Sequence, residues 1–81
     1  MMNGLNFSAR GTRWRVMIVT NHEAAKEYVP PLPGSGLLFT AADGDTRFMP
    51  LEPAAVPTID ELRGKSNEEL GSLVQLAASW K

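Results

Sequence analysis

Leu5, Phe7 and Ala9 alternate with polar residues, and Trp14, Val16 and Ile18 then alternate in the opposite parity. A parity change across Arg10-Gly11 predicts two strands joined by a two-residue turn. Such a turn sets Ala9 opposite Thr12, Phe7 opposite Trp14 and Leu5 opposite Val16. All the large apolar groups then share one face with the two aromatics directly opposed, a favourable cross-strand arrangement. Asn6, Ser8, Arg13 and Arg15 fall on the other face. Gly11 supplies the left-handed backbone the turn needs, although Arg10 is not the preferred Asn or Asp.

The β pattern then stops. His22-Glu23-Ala24-Ala25-Lys26-Glu27-Tyr28 can form about two helical turns, and Val29-Pro30-Pro31-Leu32-Pro33-Gly34 must leave the helix because proline fixes φ and restricts its predecessor. A polyproline-like surface connection is expected there. Gly36–Ala41 restarts a strand, Ala42-Asp43-Gly44-Asp45 is the strongest turn signal in the chain, and Thr46–Leu51 returns. A two-residue Asp43-Gly44 turn opposes Phe39 to Phe48, whereas a three-residue loop with Gly44 in a bulge shifts the pairing by one. The first is mildly favoured, but Leu38 and Met49 are apolar too, so both faces of this hairpin ask for cover.

Pro53-Ala54-Ala55-Val56-Pro57 is a second proline-marked connection. Thr58…Glu61 and Ser66…Glu69 both have capping-box spacing. The first box starts one turn that ends near Gly64, and the second starts the main helix. Leu70, Leu73, Val74, Ala77 and Trp80 recur at helical spacing as one apolar stripe. Gly71 weakens this helix by about 1 kcal/mol relative to alanine unless it permits close approach to the sheet.

These readings predict an α+β fold: a small antiparallel sheet or half-barrel of two β-hairpins, about four strands, with a C-terminal helix packed on it. One domain is expected over 1–81, with hairpins at about 4–20 and 36–51, a linker at 21–35 and a helical C-terminus at about 58–80. A weak internal repeat links Leu5-Asn6-Phe7-Ser8-Ala9 to Leu37-Leu38-Phe39-Thr40-Ala41, each followed by a glycine turn and an arginine beside an aromatic. Duplication and shared hairpin chemistry explain it equally well.

Composition narrows the function. With 81 residues the core is small, and chains of this size usually need a disulfide, a metal or a partner subunit. There is no cysteine, and His22 is the single histidine, so neither a disulfide nor a zinc cluster is expected. Self-association remains, a homodimer first or else a protein partner. No cofactor motif is present. No apolar run is long enough to span a membrane. The start Met1-Met2-Asn3-Gly4-Leu5-Asn6 lacks a secretory pattern, which makes the cytoplasm the expected compartment.

The net charge of −1 is unevenly spread: Arg10, Arg13 and Arg15 precede the first acid, Glu23, and acids outnumber bases thereafter. Arg10, Arg13, Arg15 and Arg47 are therefore candidate anion-binding residues, since guanidinium forks suit phosphate and carboxylate. Strand alternation, however, puts Trp14 on the face opposite Arg13 and Arg15, where it cannot form a stacking platform with them. A core tryptophan beneath a solvated basic face is the favoured reading, and the acidic overall balance counts further against nucleic acid. Pro30-Pro31-Leu32-Pro33 reads as a stiff linker before it reads as a proline-rich ligand. Asp43-Gly44-Asp45 lacks the ligand series of a cation loop. His22 and Glu23 are adjacent in a helix and point apart, and no nucleophile or phosphate-cradling motif accompanies them, so an enzyme is not expected.

Phe7…Gly11-x-x-Trp14-x-Val16 followed by Leu38-Phe39…Asp43-Gly44…Arg47 and an acid-capped helix resembles short bacterial proteins of unknown function. The resemblance spans most of the chain through turn and core residues. It implies the two-hairpin fold and carries no activity, cofactor or catalytic residue. Two functional expectations follow from the residues themselves. The first is a non-enzymatic interaction or self-association module, and the alternative is an anion or nucleic-acid binder using the Arg10, Arg13 and Arg15 face.

Overall fold

A computed structural model describes residues 4–28 and 31–80. Five antiparallel strands form one open sheet in chain order: β1 (Gly4–Ala9), β2 (Thr12–Val19), β3 (Gly36–Ala41), β4 (Thr46–Pro50) and β5 (Ala78–Ser79). Helices α1 (His22–Lys26), α2 (Ile59–Arg63) and α3 (Asn67–Leu76) complete the α+β fold, with a 3₁₀ turn at Pro53–Ala55.

The first hairpin has the register its alternation predicts, with Phe7 opposite Trp14 and Leu5 opposite Val16. Arg10 and Gly11 both take left-handed backbone, with φ of 53° and 79°. Among the described residues Arg10 is the single non-glycine with positive φ. That conformation costs an L-residue about 1–2 kcal/mol.

The second hairpin takes the bulged alternative instead of the two-residue turn favoured from its sequence. Phe39 lies opposite Arg47, and Phe48 opposite Leu38. The Gly44 amide donates to the Ala41 carbonyl at 3.0 Å, and the Ala41 amide donates to the Asp45 carbonyl at 2.7 Å. Only Gly44 needs positive φ, at 97°. Asp43 escapes the left-handed region and uses Oδ1 to accept from the Asp45 amide at 3.0 Å. The one-residue shift sends Phe48 to the sheet face opposite Phe39 and brings Arg47 to the face of Phe39.

Each face has its own core. On the inner face Phe7, Trp14, Val16, Ile18, Leu37 and Phe39 meet Leu62 of α2 and Leu70, Val74 and Ala77 from α3 and its cap. Phe7 and Phe39 meet edge to face, with centroids 6.2 Å apart. Both capping boxes form, and α2 ends at Gly64. Gly71 is the point of close approach: a β-carbon there would lie 2.9 Å from Cβ of Ala9.

On the outer face Val19, Leu38 and Phe48 pack with Ala25 and Leu32. The linker therefore does more than connect. Asn21 caps α1 by accepting from the Ala24 amide at 2.8 Å, and Leu32 folds back so that its amide donates to the Ala25 carbonyl at 3.0 Å. Val29 and Pro30, part of the expected polyproline stretch, lie outside the described residues, as do Met1–Asn3 and Lys81.

Trp80 departs from the helical stripe. The chain turns extended at Ala77 (φ −76°, ψ 142°), and β5 adds a short fifth strand beside β4. The Trp80 amide donates to the Thr46 carbonyl at 2.8 Å, and its ring meets Phe48 on the outer face with centroids 5.9 Å apart. Extending α3 would leave Phe48 without that cover and the β4 edge unpaired.

Candidate functional site

The four arginines singled out from the sequence are distributed over three places. Arg10, at the first turn, reaches Gln75 of α3, whose amide, turned with its oxygen towards the guanidinium as those donors require, accepts from Nη1 at 2.6 Å and from Nε at 3.0 Å. That contact ties the strained turn to the helix. Arg47 belongs to the inner face. Its guanidinium lies 5.7 Å from the centroid of the Trp14 ring, donates to the Val74 carbonyl in the last turn of α3 at 3.3 Å, and pairs with Asp45 at 3.4 Å. That carbonyl also accepts from the Ala77 amide at 3.2 Å, and a cation at a helix C-terminus complements the helix dipole.

Arg13 and Arg15 are the two that share a surface. They stand on the outer face of β2 opposite Ser8 and Asn6 of β1, and Arg15 faces Thr40 of β3 on its other side. Arg13 is exposed and Arg15 half-buried. Arg15 donates from Nε to Sδ of Met17 at 3.3 Å and from Nη1 to Oδ1 of Asn6 at 3.4 Å. With Asn6, Ser8, Thr40 and Ala42 the pair lines an open groove of about 570 Å³. Among the described residues no carboxylate lines this groove, and Trp14 presents its ring to the other side of the sheet.

His22 is exposed and shares a shallow depression of about 360 Å³ with Glu52, Gly34 and three prolines. Among the described residues no three His, Cys, Asp or Glu side chains gather where they could hold a metal ion. Among the described residues Tyr28 and Glu69 are displaced from their ordinary values. Burial pushes the Tyr28 hydroxyl up, with the Glu27 charge adding to it, and the Ser66 backbone amide holds the Glu69 carboxyl down. Neither lies in the Arg13–Arg15 groove.

Two hairpins imply exposed strand edges that could pair, and the order of the strands shows which edge is open. β1 is an edge strand, and among the described residues no other strand pairs with its outer side. It is six residues long and contains no charge and no proline, the usual devices that blunt an edge. The signal was present in the composition of Gly4–Ala9, but the order of strands had to be known before it could be read.

Compared with protein-family models, with curated proteins and with solved structures, the chain matches none. Among the described residues no helix is long and apolar enough to cross a membrane.

Proposed function

We propose that this protein is a non-enzymatic interaction module that associates with itself. The observation that carries the reading is the open sheet with β1 unprotected at one edge. Unpaired backbone donors and acceptors along such an edge are a template for another strand. The small core adds a motive, because pairing two sheets buries more surface per chain. Sedimentation velocity from low to high micromolar concentration tests the proposal. A weight-average mass that rises with concentration supports it, and a strict monomer throughout removes it.

A second reading is favoured by the Arg13–Arg15 groove: recognition of an anionic ligand on the outer face. Its two guanidinium groups and two hydroxyls bring donors together on one surface. Titration with inorganic phosphate and with short RNA at low salt tests it. Affinity unchanged in Arg13→Ala counts against this groove.

A further inference from the structure

We infer that the partner of β1 is β1 of a second copy, paired antiparallel about a two-fold axis through Asn6. The inference rests on the self-association proposed above and names its surface and register.

A two-residue hairpin turn closes on a pair that exchanges both backbone hydrogen bonds, here Ala9 and Thr12. Bonded and non-bonded pairs alternate along an antiparallel ladder. Ala9, Phe7 and Leu5 therefore direct their amides and carbonyls towards β2. Ser8, Asn6 and Gly4 direct theirs outwards, at the free edge.

A second β1 can use all three outward residues only if they face one another. Pairing Asn6 with Asn6 of the other copy, and Ser8 with Gly4, does this in both directions at once. The same register sets Leu5 beside Phe7 of the other copy on the inner face, apolar against apolar. Leu5 is only half-buried within one chain, whereas Phe7 is buried, so the new neighbour covers Leu5. No charged residue lies in β1, so the strand does not repel itself. Shifting the dyad to Leu5 pairs only Gly4 with Asn6, and shifting it to Phe7 pairs only Asn6 with Ser8, so either leaves one of the three outward residues without a partner in β1. Pairing in parallel would forgo the two-fold symmetry that closes a dimer.

The close contact of α3 with β1 lies away from the proposed axis. Gly71 of α3 meets β1 at Ala9, near the turn and three positions from Asn6. The two-fold axis consequently places the two helix crossings at opposite ends of the paired strands. The sheets join into one, and both Arg13–Arg15 grooves lie on its same outer side.

The chain has no cysteine, so single-cysteine variants report this register directly. Paired residues across such a ladder have Cα atoms about 5.5 Å apart, within disulfide range. Asn6→Cys is expected to form a covalent dimer under mild oxidation. In Ser8→Cys the two thiols sit about four residues apart along the strands, roughly 13 Å, and are expected to stay reduced under the same conditions. A tenfold or greater excess of crosslinking in Asn6→Cys over Ser8→Cys supports the register. Equal crosslinking, or faster crosslinking of Ser8→Cys, overturns it. Sedimentation of the unmodified chain runs alongside. If that chain associates while Asn6→Cys stays reduced, the pairing about Asn6 is overturned, although self-association survives. If the chain is strictly monomeric, both proposals fall together. Circular dichroism of each variant confirms that the sheet is intact.

Discussion

Replacing Arg47 with alanine distinguishes an arginine that holds the fold together from one that faces solvent. Three contacts are lost. The charge over Trp14, at 5.7 Å from the ring centroid, is worth about 0.5–1 kcal/mol at a partly exposed site. Donation to the Val74 carbonyl, together with the helix dipole, adds about 1 kcal/mol. The ion pair with Asp45 adds little, because its side chains are 32% and 41% exposed and solvent screens them. The expected loss is about 2 kcal/mol, or roughly 10 °C in Tm for a domain of this size. Arg47→Lys keeps the charge but loses the fork, and about half of the loss is expected. Arg13→Ala, on the open outer face, is expected to stay within about 0.5 kcal/mol of the parent. Urea unfolding followed by tryptophan fluorescence measures all three. Arg47→Ala within 0.5 kcal/mol of the parent, or Arg13→Ala costing as much as Arg47→Ala, would refute the division of the arginines between faces.

Gly36→Ala should be severely destabilising, by about 3 kcal/mol, because φ is 156° and the new Cβ would lie 2.1 Å from the Met49 carbonyl oxygen; thermal melts read this, and an unchanged Tm contradicts the β3–β4 register. Glu69 supplies a pH dependence. Its folded pKa is lowered from 4.5, so its contribution is complete above that value and fades as pH falls through the lower folded value. Glu69→Gln should therefore melt below the parent at neutral pH, and the gap should close under acid conditions; a gap that is constant with pH removes the capping-box explanation.

The first hairpin was legible because its strands are apolar on one parity only. Arg10-Gly11 could join them in just one sensible way, and the register, the inward Trp14 and the outward Arg13 and Arg15 all followed. The second hairpin was not, because Leu38, Phe39, Phe48 and Met49 are apolar on both parities and alternation could not choose between them. The choice came from Phe48 packing with Val19, Ala25 and Leu32, contacts distant in sequence. One residue of register carried Arg47 to the inner face, which is why its grouping with the other arginines did not survive folding. Trp80 misled for a related reason: it continues the period of Leu70, Leu73, Val74 and Ala77, yet the open β4 edge and the ring of Phe48 draw the chain into an extended conformation. The capping boxes at Thr58 and Ser66 were readable in full because they are local chemistry.

Amide hydrogen exchange at β1, measured as a function of protein concentration, tests the edge pairing most directly. In the isolated chain the amides of Leu5, Phe7 and Ala9 are held by β2, whereas those of Asn6 and Ser8 face water. Pairing of two β1 strands predicts that Asn6 and Ser8 gain protection as concentration rises, while Leu5, Phe7 and Ala9 are slow throughout. Asn6 and Ser8 amides that exchange at the same fast rate from micromolar to millimolar protein would contradict the account.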